Sequence, residues 1–323
     1  MCMMIRVWFL AIAIFSSPTI ALAEGQTFGI VAKSLDDANF TDTWRGCNEA
    51  AAKNNDKCVL IGEHGPAHAR RQIIAIEQAI HDHSLSALAI SVTKSDFLAK
   101  HLSSLNIPVI AFDSDFNSAY QSARKTFVGM DNKALGRQLG ELAKKLYPKG
   151  GIVCIMTALY HPNLKERVEA LRESLSQNKT VTKHLEGENN WYECPRSPLD
   201  TSGDVNKGLT QVEYALKNIR PDLVISVGHW PVVEEGLYRQ TVEPYKNLLT
   251  TGKVKMLVTT STIVTTKDAL LDENLIHGYV YVDFSEIGKE TYSVLRKVAN
   301  GESVEPYYYV PNGERLMPLP KEQ

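Results

Sequence analysis

Two charged side chains stand where they could hold a polar partner. Asp113 directly follows the apolar run Val109-Ile110-Ala111-Phe112, which has the pattern of a buried parallel strand, so its carboxylate belongs at the carboxyl end of that strand. An ionised carboxylate accepts several hydrogen bonds at once and suits a cluster of hydroxyl donors; the competing role is a turn or helix cap. Arg167 lies near the start of a helix whose apolar face is Val168, Leu171 and Leu175. The helix dipole opposes a cation there, so Arg167 needs compensation. A polar ligand would supply it, and so would an ion pair with Glu166 or Glu169. The planar guanidinium fits vicinal hydroxyls or a carboxylate. Four aromatic residues could add apolar contact. Phe40 and Trp44 fall in the first loop and helix, and Trp44 could equally be core. Trp191 and Trp230 are expected in strand-to-helix loops of the second half, where an indole could stack on a ring or enclose an alkyl group.

Motifs of covalent chemistry are missing. The chain has no Gly-x-Ser-x-Gly turn, no phosphate-binding Walker loop, no Gly-x-Gly-x-x-Gly fingerprint and no zinc-ligand spacing, so neither an enzyme nor a cofactor is expected. His64 and His68 flank Gly65-Pro66, but Pro66 interrupts any helix that would align them, so a solvated loop is expected. The formal net charge of -2 leaves no footprint for nucleic acid and no polybasic stretch for an anionic membrane.

These side chains must be positioned by the rest of the 323 residues, enough for two cores. Residues 1–23 read as a secretory leader: a charged start, the apolar run Val7 to Phe15, and Ala21-Leu22-Ala23 as the small-x-small site, with cleavage after Ala23. No later segment is apolar for long enough to span a bilayer, so the mature chain is expected not to be membrane-inserted. Cys2 leaves with the leader. Cys47, Cys58, Cys154 and Cys194 remain, and in an oxidising compartment they allow three pairings. Cys47–Cys58 and Cys154–Cys194 are favoured because each pair stays within one half of the chain.

Strand and helix patterns alternate along the chain. Strands are read at Phe28 to Ala32, Cys58 to Gly62, Ala87 to Ile90 and Val109 to Phe112. The pattern restarts after Asp131 or Asn132, either of which can cap a helix bearing Leu135, Leu139 and Leu142. Further strands are read at Gly151 to Met156, Val181 to Glu186, Leu223 to Val227, Val254 to Val258 and Gly278 to Val282, with Val232 to Leu249 mostly helical. The expected fold class is α/β: two doubly wound, Rossmann-like parallel-sheet domains, with a cleft at the carboxyl ends of the strands.

Several segments, in order, resemble the type I periplasmic binding proteins, and within them the ribose/galactose-binding group. They are Lys33-Ser34 to Phe40 with Trp44-Arg45-Gly46, Asn106 through Ser114, Val128-Gly129-Met130-Asp131-Asn132, and Lys165 through Leu171. The resemblance covers about Phe28 to Pro306. It implies three crossovers at a hinge, with one lobe of residues 24–126 plus 283–305 and a second of 127–282 plus 306–323. It assigns Asp113, Arg167 and Phe40 to the ligand site, and matches Ser34, Asp37 and Ser91 to polar contacts. In Gly228-His229-Trp230-Pro231 and in Val258 to Thr262, aromatic and hydroxyl groups stand where ribose binders carry amides and carboxylates, which favours a ligand less rich in hydroxyls or differently charged. The function implied is a monomeric periplasmic protein that closes on a small polar ligand, sugar or sugar-like, and delivers it to a membrane ABC permease or sensor. The alternative is a sensory protein for a non-sugar small molecule, partnered with a membrane histidine kinase or chemoreceptor.

Overall fold

The computed structural model describes residues 25–177, 183–261 and 267–318. The expected leader with its site after Ala23 lies outside them, as do Val181, Thr182 and Thr262. The first run of elements is β1 (Thr27–Val31), α1 (Ala38–Ala52), β2 (Lys57–Ile61), α2 (Ala69–Asp82), β3 (Leu85–Ile90), α3 (Ser95–Leu102), β4 (Val109–Phe112) and β5 (Phe127–Gly129). The second is α4 (Asn132–Leu146), β6 (Gly151–Thr157), α5 (Pro162–Leu175), β7 (Trp191–Glu193), β8 (Leu199–Asp200), α6 (Val205–Tyr214), β9 (Leu223–Ser226), α7 (Glu235–Val242), α8 (Lys246–Thr250), β10 (Lys255–Ser261), α9 (Lys267–Asp272) and β11 (Gly278–Val282). The chain ends with α10 (Phe284–Ala299), β12 (Tyr307–Tyr309) and β13 (Gly313–Leu316).

Two sheets result. The first has the order β12-β5-β4-β3-β1-β2, and all its pairings are parallel. The second has the order β13-β11-β10-β9-β6-β7, with β8 also on β6, and only β13 runs antiparallel. β4 and β9 are buried at every position, as a strand covered by helices on both faces must be. Among the described residues no helix is long and apolar enough to cross a membrane.

β5 pairs with β4 in the first sheet. β12 adds to the same sheet beside β5, with Tyr307 opposite Phe127. The Phe127 ring explains this extension, because it lies edge-on to both Tyr307 and Tyr309. Asp283 caps α10 by accepting from the Glu286 N–H.

Two expectations are corrected. The described part of Val181 to Glu186 is not a strand; the strand beside β6 is β7, Trp191–Glu193. Gly187, Asn189 and Asn190 all take positive φ, which turns the chain back so that β7 runs parallel to β6. The helix expected over Val232 to Leu249 is broken into α7 and α8 by a 3₁₀ turn at Glu243–Tyr245, where Pro244 lacks the N–H that a helix interior needs.

Two packing features hold the site's framework. Asp131 caps α4 by accepting from the Ala134 N–H at 2.9 Å. Gly136 on α4 lies so close to α5 that a Cβ there would sit 2.3 Å from the Arg167 carbonyl oxygen, so the backbone carrying Arg167 seats directly on a glycine. The cysteines pair as Cys47–Cys58, tying α1 to β2, and as Cys154–Cys194, tying β6 to the residue after β7.

Candidate functional site

The carboxyl ends of both sheets carry the polar groups. On the first lobe, the residue after β4 is Asp113, which sits in the left-handed region at φ 57, a conformation that Asp tolerates better than most residues. Its Oδ2 accepts from the Ser91 hydroxyl at 2.7 Å, and the Lys33 ammonium lies 3.6 Å from the same oxygen. Ser91 follows β3 and Lys33 follows β1 by two residues, so three neighbouring strand ends converge on one carboxylate. Gln72 on α2 braces this arrangement. Its Nε2 donates to the carbonyls of Ala32 (3.0 Å) and Ser91 (2.8 Å), and its Oε1 accepts from the Thr93 hydroxyl. Burial pulls the Lys33 ammonium below the ordinary lysine range, against the opposing pull of Asp113 and Asp37.

On the second lobe Arg167 is 6% exposed. Its Nε donates to Asn132 Oδ1 at 2.8 Å and its Nη1 to the Val227 carbonyl at 2.9 Å. Both acceptors are neutral, and burial lowers the guanidinium to about 10, with Asp113 acting against that through space. Glu166 and Glu169 do not pair with it: both are exposed, and Glu169 meets Lys165 instead. His161, at the N-cap position of α5, is lowered to about 4 by burial and then by Lys33. It is therefore neutral at pH 7. Several polar atoms along this wall are buried without a partner among the described residues: Thr157 Oγ1 at the end of β6, Asn163 Oδ1 in the first turn of α5, and Thr259 and Thr260 Oγ1 near the end of β10. Buried polar atoms are normally paired with protein or ordered water, so these groups keep hydrogen-bonding capacity that the described side chains do not use. The walls meet where Asn39 Nδ2 and His229 Nδ1 lie 3.5 Å apart.

The aromatic candidates divide. Phe40 packs edge-on against Phe112 in the core. The Trp44 indole donates to the Cys58 carbonyl at 2.8 Å and packs beside the same core. Trp230 starts a 3₁₀ turn after β9 and lies against Gly228 and Gly208 at the cleft end of the second lobe. Trp191 departs from expectation. It is a strand residue, 1% exposed, opposite Gly151 at the amino end of β6, and so at the far end of the sheet from the cleft. Ser34 donates to the Gly65 carbonyl, and Asp37 caps α1 by accepting from the Asn39 N–H. His64 meets Asp36 at the surface.

Asp113 and Ser91 are thus hydrogen-bonded at the carboxyl edge of the first sheet, and Arg167 acts through space on Asp113 and Lys33 from the second lobe. Sequence reading missed Lys33, His161, Asn163 and Gln72. Lys33 carried a usable signal, because it follows a buried apolar run at the same sheet edge as Asp113. The arrangement supplies paired charges and unfilled hydrogen-bonding positions, which is the chemistry of holding a polar molecule.

A family profile described as a periplasmic binding protein domain matches residues 28–303. No relative of curated function matches the chain in sequence. Among solved structures, a glucose-galactose binding protein, GanP, from Geobacillus stearothermophilus is similar over 91% of this chain and 98% of its own, with a TM-score of 0.73 at 15% identity. An ABC transporter solute-binding protein from Burkholderia graminis, in complex with D-arabinose, is similar over 91% of this chain and 96% of its own, with a TM-score of 0.72 at 20% identity. A chain of the XylFII-LytSN complex is similar over 91% of this chain and 98% of its own, with a TM-score of 0.69 at 15% identity. These likenesses show a shared fold.

Proposed function

The chain belongs to the periplasmic binding protein domain family, and from that premise we propose that it is a two-lobed solute-binding protein for a sugar or sugar-like ligand, exported by a leader cleaved after Ala23. It acts as a monomer that holds its ligand without transforming it, and it hands the ligand to an ABC permease or presents it to a membrane sensor. The observation that carries this reading is the pairing of walls across the cleft. Asp113, fixed by Ser91 and Lys33, faces a buried Arg167 whose own contacts are neutral, and orphaned polar atoms line the second wall. A molecule with several hydroxyls satisfies both walls at once. The glucose-galactose and arabinose binders of the same fold support a sugar as that molecule.

The test is calorimetric titration of the purified protein with a panel of pentoses, hexoses and sugar derivatives. Asp113→Ala and Arg167→Ala should each weaken binding at least tenfold, since truncating a desolvated, charged hydrogen-bonding group typically costs about 2–5 kcal/mol. If both variants bind as the wild type does, the ligand lies elsewhere.

A further inference from the structure

β12 is an edge strand of the first sheet. Its ladder with β5 uses alternate residues: the Pro306 carbonyl accepts from the Phe127 N–H, and the Val310 N–H donates to the Gly129 carbonyl. Tyr307 and Tyr309 therefore turn their own N–H and C=O groups outward, where they have no partner among the described residues. Sheets usually blunt such an edge with charge, proline or a cover. The opposite edge of this sheet is covered at Cys58 of β2, whose N–H donates to Asn48 and whose carbonyl accepts from the Trp44 indole, both on α1. β12 has only the flanking Pro306 and Pro311, which keep it short and leave its outer amides open.

The surroundings of this edge are acidic and aromatic. An open groove of about 450 Å³ is lined by β12 and by Glu286 and Glu290, one turn apart on α10. Glu286 meets the exposed Lys289 at 3.1 Å, whereas Glu290 is half-buried and has no ion pair among the described residues. The Tyr307 and Tyr309 rings stack with centroids 5.6 Å apart and are 39% and 52% exposed. The Arg124 guanidinium lies 5.0 Å from the Tyr307 centroid, so this pair already accepts one cation. Burial pushes the Tyr309 hydroxyl up to about 12, and Asp131, Tyr307, Glu166 and Asp115 push it the same way. Carboxylates thus border the strand at α10 and again at Asp131 and Glu166.

We infer that β12 is a docking strand for an extended, Lys/Arg-rich segment of a partner protein. The segment adds to the sheet through the outward amides of Tyr307 and Tyr309, and its cations meet Glu286, Glu290 and the stacked rings. A second copy of this chain is the poorer occupant, because a two-fold contact along β12 sets the same carboxylates against each other. Only Val310, Pro311 and Asn312 separate β12 from β13 in the second sheet, so the added strand also grips the connection between the sheets. This goes beyond the solute-binding reading and does not rest on it.

The experiment is fluorescence anisotropy of the purified protein with short labelled peptides that alternate Arg or Lys with Val or Thr. Each is run beside a twin with Glu for every cation and a twin N-methylated at every second residue. At least one basic peptide should bind about tenfold or more tightly than both its twins, and more weakly as salt is raised. Tyr309→Pro deletes an outward N–H and no ladder bond, and should weaken that peptide about tenfold. Glu286→Gln combined with Glu290→Gln should weaken it about fivefold. No binding by any basic peptide, or equal binding by either twin, overturns the inference. So does unchanged affinity in either variant; if Tyr309→Pro fails to fold by circular dichroism, the paired Gln variant decides. A dimer in sedimentation that Tyr309→Pro dissociates also overturns it, because the occupant is then a second copy. The reading of the cleft stands under each of these outcomes.

Discussion

Replacing Asp113 by Asn removes one charge from the centre of the first wall and little else. The amide keeps the shape of the side chain and can still accept from Ser91, but the Lys33 ammonium, 3.6 Å away with 11% of its side chain exposed, loses its nearest counter-ion. At an effective dielectric of about 20 that pair is worth roughly 4–5 kcal/mol of Coulomb energy. Measured losses on removing one partner of a buried pair run about 3–5 kcal/mol. Lysine has an escape, because it can shed its proton. From a reference value of about 10.4, doing so near pH 7 costs about 4–5 kcal/mol, which sets a ceiling on the damage. We expect Asp113→Asn to lose about 3–4 kcal/mol near pH 7, a large part of a typical total of about 5–15. Burial already holds the folded-state pKa of Lys33 below its unfolded value. Between those two values the unfolded chain binds more protons, so stability rises with pH. The variant widens that window downward, and its deficit should shrink to about 1 kcal/mol near pH 9.5, where shedding the proton is cheap. Urea unfolding of the unliganded wild type and variant at the two pH values reads this directly. An equal deficit at both, or none near neutrality, refutes the ion pair as a buried and coupled unit.

Two further outcomes follow from the framework. Opening the Cys47–Cys58 bridge with paired Ala substitutions should cost about 3 kcal/mol in urea unfolding and opening Cys154–Cys194 about 4, from sequence separations of 11 and 40. Four thiols open to alkylation in denatured, unreduced protein would refute both bridges. His277 is 1% exposed, accepts from the Met256 N–H and contacts the Leu249 carbonyl, and burial lowers its pKa to about 4. A histidine depressed in the fold leaves the unfolded chain with more protons below about 6.5, so its contribution is intact above that pH and fades as the pH falls toward 4. His277→Gln should therefore flatten the loss of stability over that interval by about 3 kcal/mol; an unchanged slope would contradict the assignment.

The sequence signals that held were those set by burial and by local backbone chemistry. β4 could be read from Val109 to Phe112 because a strand covered on both faces tolerates no polar residue, and Asp113 followed from where that run stops. The cap at Asp131 needed only a short polar side chain immediately before an apolar periodic run. Trp191 misled because β7 is three residues long and is placed by left-handed turns at Asn189 and Asn190, which no periodicity reports. β5 and β12 are equally short, and their sheet is chosen by Phe127 meeting tyrosines that lie some 180 residues further along the chain. Lys33 follows a buried run as Asp113 does, but its pairing with Asp113 depends on three strand ends converging, which the sequence does not report. Asn163 became informative only through a missing hydrogen bond, a property of three-dimensional packing.

Gln72 has a consequence for the order of events at the cleft. By tying the loop ends after β1 and β3 to α2, it keeps Lys33, Ser91 and Asp113 in register independently of the opposite lobe. Under the proposed function, a ligand entering an open cleft meets a stiff template on that side and surrenders little binding energy to ordering it. The opposite wall, where Thr157, Asn163 and Thr259 have buried polar atoms with no partner among the described residues, adds its bonds on closure. Capture is then a two-step process: docking on the rigid wall sets the association rate, and the bonds gained when the second wall arrives set the residence time.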